Sequence, residues 1–209
     1  MRFFKLSLLL VIFWSTQVMA HPTSFQGATS LMSYNTEEEN TVDLFYSVKN
    51  YLAVGVTYQR EDKTYFTVPR VNYLLQRWNN EDSQGNIYLS AGYGQERSYD
   101  QALGVGFTAL DVDWESRKYY TSAAYNRYIR GDKENIERPD YEIMKLRAGV
   151  APYLGEYNEI NTWLILQTEK RNDTQWELTQ FVRLFYRNVL IEVGAGFNGS
   201  YAFNFMVHF

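Results

Sequence analysis

The last ten residues of the chain constrain its fold more than any other stretch. Aromatic and aliphatic side chains occupy every second position from Tyr201 to Phe209, and small or polar residues fill the positions between them. This alternation predicts a β-strand with one apolar face. Asn198-Gly199 comes just before it, and this dipeptide favours a tight hairpin turn. Because residues 189–197 alternate in the same way, we expect the chain to end in a β-hairpin.

The hairpin resembles the final hairpin of Gram-negative outer-membrane β-barrels, whose chains very often end in Phe. In that class the terminal strand is recognised by the barrel-assembly machinery. The resemblance therefore implies an assembly signal formed by Tyr201, Phe203, Phe205 and Phe209. It also implies that the partners are this machinery and the outer-membrane lipid, and that the protein is located in the outer membrane.

The first twenty residues have the features of a secretory signal peptide. Arg2 and Lys5 precede an apolar run over 6–14, and Val18-Met19-Ala20 fits a cleavage site. Cleavage would leave a barrel domain over 21–209 that begins with His21. Without Arg2 and Lys5 the 20 basic residues become 18 against 24 acidic ones, a net charge of −6, which argues against a nucleic-acid partner.

A membrane location would require a closed β-barrel. No stretch after residue 20 reaches the roughly 18 consecutive apolar residues of a membrane helix. Only helices and closed barrels satisfy the backbone hydrogen bonds of a membrane-spanning chain. We therefore predict an all-β fold, a single antiparallel transmembrane barrel of about twelve strands. Ten strands remain an alternative, because the seventh and ninth segments alternate weakly. The predicted strands are 28–34, 42–48, 52–60, 65–77, 86–94, 102–114, 119–129, 141–154, 161–169, 176–186, 189–197 and 200–209.

Two predicted strands change the parity of their apolar positions. In the fourth the change falls at Pro69, and in the sixth it falls near Ala109. A β-bulge at each place would direct every apolar residue toward lipid, including Phe66, Val68 and Phe107. An even number of strands places both termini in the periplasm.

Aromatic residues near the predicted strand ends fit interfacial girdles. They are Tyr34, Tyr51, Trp78, Trp114, Tyr119, Trp163, Trp176 and Tyr186. A soluble periplasmic barrel or sandwich is the alternative, since alternation alone does not tell inside from outside. The small, glycine-rich polar faces, the girdles and Phe209 favour the membrane barrel.

Several segments are similar to an uncharacterised family of small proteobacterial outer-membrane barrels. They are 21–24, 77–79, 86–89, 151–153, 156–159, 182–190 and 204–209, which together span nearly the whole mature chain. The resemblance implies a barrel in the outer membrane. It also implies an association with heavy-metal efflux, because genes of such proteins often lie near heavy-metal efflux systems. It implies no catalytic residues.

The charged residues on predicted inward faces favour a narrow, porin-like channel for small polar solutes or ions. The candidate lumen-lining residues are Asp43, Arg70, Gln76, Asp111, Asp113, Lys145, Arg147, Arg183 and Glu192. The alternative is a plugged structural barrel, because buried charges of both signs can pair with each other.

The two histidines after residue 20 limit the remaining hypotheses. His21 and His208 are both expected at the periplasmic end, so an outer-membrane lipid-modifying enzyme lacks a histidine near the outer leaflet. We therefore predict no enzymatic activity. The closing of the barrel would bring His21 near His208, and their nitrogens would suit Cu(II), Ni(II) or Zn(II). A periplasm-facing metal site linked to metal homeostasis is thus a further alternative.

Overall fold

The computed structural model describes residues 23–98, 101–130, 139–156 and 158–209. These residues form twelve β-strands: β1 Thr29–Thr36, β2 Glu39–Lys49, β3 Leu52–Glu61, β4 Thr64–Asn79, β5 Ser83–Ser98, β6 Gln101–Ser116, β7 Tyr119–Arg130, β8 Tyr141–Val150, β9 Asn161–Arg171, β10 Glu177–Tyr186, β11 Val189–Gly196 and β12 Tyr201–His208. All twelve predicted strands are present, each within a few residues of its predicted bounds. The described ranges contain no helix long and apolar enough to cross a membrane.

Every strand pairs antiparallel with its neighbours in sequence, and β1 pairs with β12 to close the barrel. This seam runs from Ser30 opposite His208 to Thr36 opposite Ala202. Beyond it, the Phe209 amide donates to the Thr29 carbonyl at 2.8 Å, and the Thr29 amide donates to the Phe209 carbonyl at 3.1 Å. The all-β, closed-barrel prediction is confirmed. We call the end with Thr29 and His208 the terminal end, and the other end the distal end.

The outer wall of the barrel is apolar. Alternate residues of β2 and β8 show this most simply, with Leu44, Tyr46, Met144 and Leu146 all 46–50% exposed. The residues between them point inward and are more buried. Water solvates such a wall poorly, and lipid solvates it well. The exposed apolar surface is therefore what a transmembrane barrel requires.

The interior also holds apolar side chains, in three clusters. Cluster one fills the distal half of the lumen on the β4–β8 side; it consists of Phe66, Val68, Val105, Phe107, Ala109, Tyr128, Tyr141 and Ile143. Its rings are in contact, with centroids 4.5 Å apart for Phe66 and Tyr128 and 4.9 Å apart for Phe107 and Tyr128. The other clusters surround Phe45 and Leu190, and Trp163 and Phe181.

The predicted bulges at Pro69 and Ala109 are wrong. The pairing of β6 with β5 and β7 keeps one register throughout, and Phe66, Val68, Val105 and Phe107 lie inside cluster one instead of facing lipid. At Pro69, which has no amide hydrogen, the β4–β5 pairing lapses and then resumes in the same register. The register of this pair shifts later, between Leu74 and Gln76.

Six of the eight predicted girdle residues are exposed on the surface, and two are not. Tyr34 packs against the inner cluster that contains Phe45, and Trp163 is a buried member of the cluster that contains Phe181. Both aromatic rings lie on inward-facing positions, so they fill the lumen and do not mark the membrane boundary.

Candidate functional site: the charged lumen

A central cavity of about 210 Å³ occupies the interior of the barrel. Residues from eleven of the twelve strands line it, all except β9, so it lies on the barrel axis and not in one wall. Its charged lining comprises Glu39, Asp43, Arg70, Asp111, Asp113, Lys145, Arg147, Arg183 and Glu192. The inward parity of β2, β4, β6, β8, β10 and β11 places these groups there.

Glu192 is the centre of one interaction network in the cavity. Its carboxylate accepts hydrogen bonds from Arg183 Nε at 2.7 Å, Arg147 Nη2 at 2.9 Å and Asn204 Nδ2 at 2.8 Å. The side chain is 2% exposed. The bond to Arg147 joins β8 to β11, so it crosses part of the interior. Each guanidinium also lies over an aromatic ring, Arg147 over Phe181 and Arg183 over Tyr120.

Asp43 and Arg70 form a second ion pair, with 3.1 Å between Arg70 Nη2 and Asp43 Oδ2. Thr57 donates a hydrogen bond of 2.6 Å to the other carboxylate oxygen. The Arg70 guanidinium is 4.6 Å from the ring centroid of Phe45 and 5.0 Å from that of Phe107. Arg70 is therefore held between the charged cavity and cluster one.

A third network lies toward the distal end. Glu169 pairs with Lys145 at 2.9 Å and with Arg171 at 2.8 Å. Arg171 also reaches Glu38 at 3.3 Å and Glu39 at 3.4 Å, and so connects β9 to the β1–β2 hairpin. A cavity of about 220 Å³ opens beside this bridge, lined by residues of β9, β10 and the two hairpins β1–β2 and β11–β12.

The predicted lumen residues fall on both sides of the wall. Asp43, Arg70, Asp111, Asp113, Lys145, Arg147, Arg183 and Glu192 line the central cavity, and Gln76 does not. Gln76 follows the register shift in β4 and pairs with the outward residue Ile87, which makes its lumenal assignment wrong. Arg77 points inward in its place, donating to Asn86 at 2.6 Å and to Tyr88 at 3.0 Å.

The two predicted aspartates of β6, Asp111 and Asp113, differ in their contacts. Asp113 accepts a hydrogen bond of 2.7 Å from Asn86 Nδ2. Within the described ranges, Asp111 has no hydrogen bond or ion pair, although it lines the same cavity.

Sequence reasoning missed Glu39, Glu169 and Arg171, which form the distal network. Glu169 and Arg171 share the inward parity of Trp163, Ile165 and Gln167, and that parity could have identified them. The weak alternation of this segment hides that parity, and a girdle position for Trp163 would imply the opposite one.

The predicted metal site involves one described residue. His208 is buried at the terminal end, with Nδ1 2.6 Å from the hydroxyl of Ser30. His21 lies outside the described residues. Within the ranges that are described, no group of three or more His, Cys, Asp or Glu side chains could hold a metal ion. Metal binding by His21 and His208 stays a prediction.

The predicted assembly signal lies on the outer face of β12 and just beyond it. Tyr201, Phe203 and Phe209 are 66%, 45% and 68% exposed, and Phe205 is partly buried on the same face. The rings of Phe203 and Phe205 are 6.4 Å apart. Their recognition by an assembly machinery stays a prediction.

The chain matches no protein-family model and no curated protein. Among solved structures it is similar to the KdgM porin in complex with disordered oligogalacturonate, with a TM-score of 0.51 and 10% identity, covering 87% of this chain and 98% of that chain. Another KdgM porin structure has a TM-score of 0.49, with 10% identity and the same coverage of both chains. OccK8 (OprE) of Pseudomonas aeruginosa has a TM-score of 0.43 and 9% identity, covering 82% of this chain and 57% of that chain.

The similarity in fold and the apolar outer wall agree with the class predicted from the terminal hairpin. The protein is a closed twelve-stranded antiparallel β-barrel, and its fold is similar to that of the KdgM porin. The association with heavy-metal efflux genes, the periplasmic placement of the termini and the secretion route stay predictions.

Proposed function

We propose that the barrel is a narrow channel for small polar solutes or ions, and that it is not an enzyme. The observation that carries the proposal is the central cavity, which is lined by charged groups of both signs from nearly every strand. A barrel with only a structural role needs no charged interior, since apolar side chains fill a lumen at less cost. The KdgM porin, whose structure was solved with oligogalacturonate, supports a transport role by its similar fold.

The proposed path enters at the distal end, away from cluster one. That cluster fills the lumen beside β4–β8, whereas the cavity of about 220 Å³ opens beside β9–β12. A solute would pass the Arg171 bridge, reach the Glu192 and Arg70 networks and leave at the terminal end. The alternation of charge along this path suits ions and small polar molecules and excludes apolar ones.

A plugged barrel is the second candidate, and contacts that cross the interior favour it. Tyr128 on β7 donates to Gln59 on β3 at 2.5 Å, and Arg171 joins β9 to β2. If these contacts persist, they block the lumen. The two candidates differ in whether the side chains move aside under an applied field, which conductance measures.

The test is single-channel conductance of the refolded protein in planar bilayers, after heat-modifiable migration has shown that the barrel is folded. We expect discrete steps, larger in Arg171→Ala because this change removes the bridge across the distal mouth. Gln76→Ala is the matched control, since Gln76 lies on the outer wall, and its steps should equal those of the unaltered protein. Silence from the folded barrel and from Arg171→Ala alike would contradict the channel and favour the plug.

Ion selectivity tests the same proposal through Asp111. Asp111→Asn removes a carboxylate from the cavity without removing a described ion pair. We expect the cation-to-anion permeability ratio to fall in this variant. An unchanged ratio in a conducting channel would place the ion path elsewhere.

A further inference from the structure

The inner face of β7 forms a shallow slot in the wall of the central cavity. Ser122 and Ala124 line the cavity there, and both are partly exposed to it. Larger inward residues flank them on the same strand, Tyr120 toward the terminal end and Asn126 toward the distal end. Because the smallest inward side chains of β7 lie between these two, a small solute has room against the strand at this level.

The strands on either side of the slot carry opposite charges at the same two levels. The register across β6, β7 and β8 is Asp111, Ala124 and Lys145 at one level and Asp113, Ser122 and Arg147 at the next. All four charged side chains line the central cavity. The slot therefore has two carboxylates along one edge and two cations along the other, with two small neutral residues between them.

Both cations are held from the side away from the slot. Lys145 pairs with Glu169 on β9 at 2.9 Å, and Arg147 pairs with Glu192 on β11 at 2.9 Å. Each cation keeps donors that these pairs do not use, because an ammonium group has three N–H donors and a guanidinium group has five. Arg147 Nε makes no hydrogen bond to any described residue. The two glutamates therefore fix the cations in place and leave them donors for a carboxylate in the slot.

The two edges carry unbalanced charge of opposite sign. Arg147 and Arg183 share the carboxylate of Glu192, so this network has one more guanidinium group than carboxylates. On the opposite edge, Asp111 has no hydrogen bond or ion pair within the described ranges. A solute with one cationic and one anionic group can satisfy both edges at once, whereas a monovalent ion satisfies one edge only. A charge enclosed in a protein interior without a partner is costly, which favours the solute that compensates both.

The width of the slot sets the separation of the two charged groups in such a solute. The backbones of β6 and β8 are two strand spacings apart, about 10 Å, and inward side chains stand roughly perpendicular to the wall. A charge-assisted hydrogen bond at each end takes up about 2.8 Å, so roughly 4 Å remains between the two charges. That length suits a short alkyl chain, and the apolar lining of the cavity, which includes Ile143 and Leu190, suits it as well.

We propose that the slot binds one small zwitterionic solute. Its ammonium group lies at the aspartate edge, on Asp111 and Asp113, and its carboxylate lies at the cation edge, on Lys145 and Arg147. The proposal names the solute class of the proposed channel, and it rests on that channel for access to the cavity. Because a zwitterion has no net charge, it compensates both edges without adding a charge to the interior.

The test is the binding of three solutes of similar length to the refolded protein in detergent, measured by ligand-observed NMR titration. γ-Aminobutyrate has both charges, butyrate has only the anionic group and butylammonium has only the cationic group. We expect γ-aminobutyrate to bind about tenfold or more tightly than either comparison solute, because each of these lacks the charge-assisted hydrogen bonds at one end. Equal affinity for butyrate or for butylammonium would overturn the proposal.

Single substitutions at the two edges should affect different solutes. Asp111→Asn should weaken γ-aminobutyrate and butylammonium but not butyrate. Lys145→Gln should weaken γ-aminobutyrate and butyrate but not butylammonium, and Glu169 keeps its pair with Arg171 in this variant. Asp82→Asn is the matched control, since Asp82 is exposed in the turn between β4 and β5, and its affinities should equal those of the unaltered protein. Unchanged γ-aminobutyrate affinity in the two edge variants would contradict the site.

A change of shape tests the slot with every charge kept. Ala124→Leu fills the slot and should abolish γ-aminobutyrate binding. Ala148→Leu is its control, because Ala148 lies on the outer wall opposite the exposed Leu166, and this variant should bind as the unaltered protein does.

Conductance of the same preparations separates this proposal from the proposed function. Conductance steps with no preference among the three solutes would overturn the zwitterion site and leave the channel. Binding of γ-aminobutyrate without conductance steps would support the site and contradict the channel. Neither steps nor binding in a folded barrel would overturn both.

Discussion

Replacement of Glu192 by Ala should destabilise the barrel strongly. The carboxylate accepts three hydrogen bonds of 2.7 to 2.9 Å, two of them from the guanidinium groups of Arg147 and Arg183. Without Glu192 both guanidinium groups stay in the interior, and no other carboxylate of the described residues pairs with either of them. Breaking a buried ion pair by removing one partner costs about 3–5 kcal/mol. We expect a loss in the free energy of unfolding of that size.

The assay is equilibrium unfolding by urea in phospholipid vesicles, followed by tryptophan fluorescence, which the buried Trp163 makes sensitive to the lumen. Glu37→Ala is the matched control, because Glu37 is exposed in the β1–β2 hairpin, and its effect should stay within about 0.5 kcal/mol. Addition of Arg147→Met to Glu192→Ala should recover part of the loss, since one uncompensated charge is then removed.

A loss of less than about 1 kcal/mol in Glu192→Ala would refute this reasoning. That value is typical of solvent-exposed ion pairs. It would mean that water fills the cavity well enough to solvate both guanidinium groups. Such a result would contradict a dry network and would at the same time support an aqueous path through the barrel.

Three further variants test other parts of the molecule. Phe107→Ala should cost about 3–5 kcal/mol of unfolding free energy, because it empties part of cluster one, and it should also enlarge conductance steps if that space joins the lumen. Gly194→Val should cost about 1–3 kcal/mol in the same urea assay, since a Cβ at Gly194 would lie 2.5 Å from the ring of Phe181. Phe209→Ala should lower the amount of barrel inserted in cells while leaving detergent refolding unchanged. Refolding should not change because the ring is exposed and the closing hydrogen bonds are made by the Phe209 backbone. Equal losses in both measurements would contradict an assembly role.

Strand positions were predictable from the sequence because alternation and turn residues are local. Val42, Leu44 and Tyr46 face outward and Asp43, Phe45 and Ser47 inward, as their pattern indicates. In such a strand at least one residue of the inner face is polar. Because side chains alternate along a strand, that residue shows which face of the whole strand points into the lumen. The same holds for β8, where Lys145 and Arg147 mark the inner face.

The direction of side chains was predicted wrongly where apolar residues occupy the lumen. Phe66 and Phe107 are as apolar as any lipid-facing residue, so the assumption that apolar means outward required bulges that do not exist. Phe66 packs inside against Tyr128 and Tyr141, whose strands β7 and β8 are distant in sequence from β4. Local alternation contains no information about such contacts. The same limit explains Trp163, whose indole packs inside the barrel.

The packed half of the lumen determines where any channel can run. Cluster one and the cross-barrel bond from Tyr128 to Gln59 fill the distal interior beside β4–β8. Charged side chains then occupy what remains, beside β9–β12 and at the centre, where Arg171, Glu192 and Arg70 form successive networks. Because apolar packing excludes water and ions, a conducting path through this barrel must follow these networks. Variants of Arg171 and Asp111 should therefore alter conductance and selectivity, whereas variants of the outer wall should not.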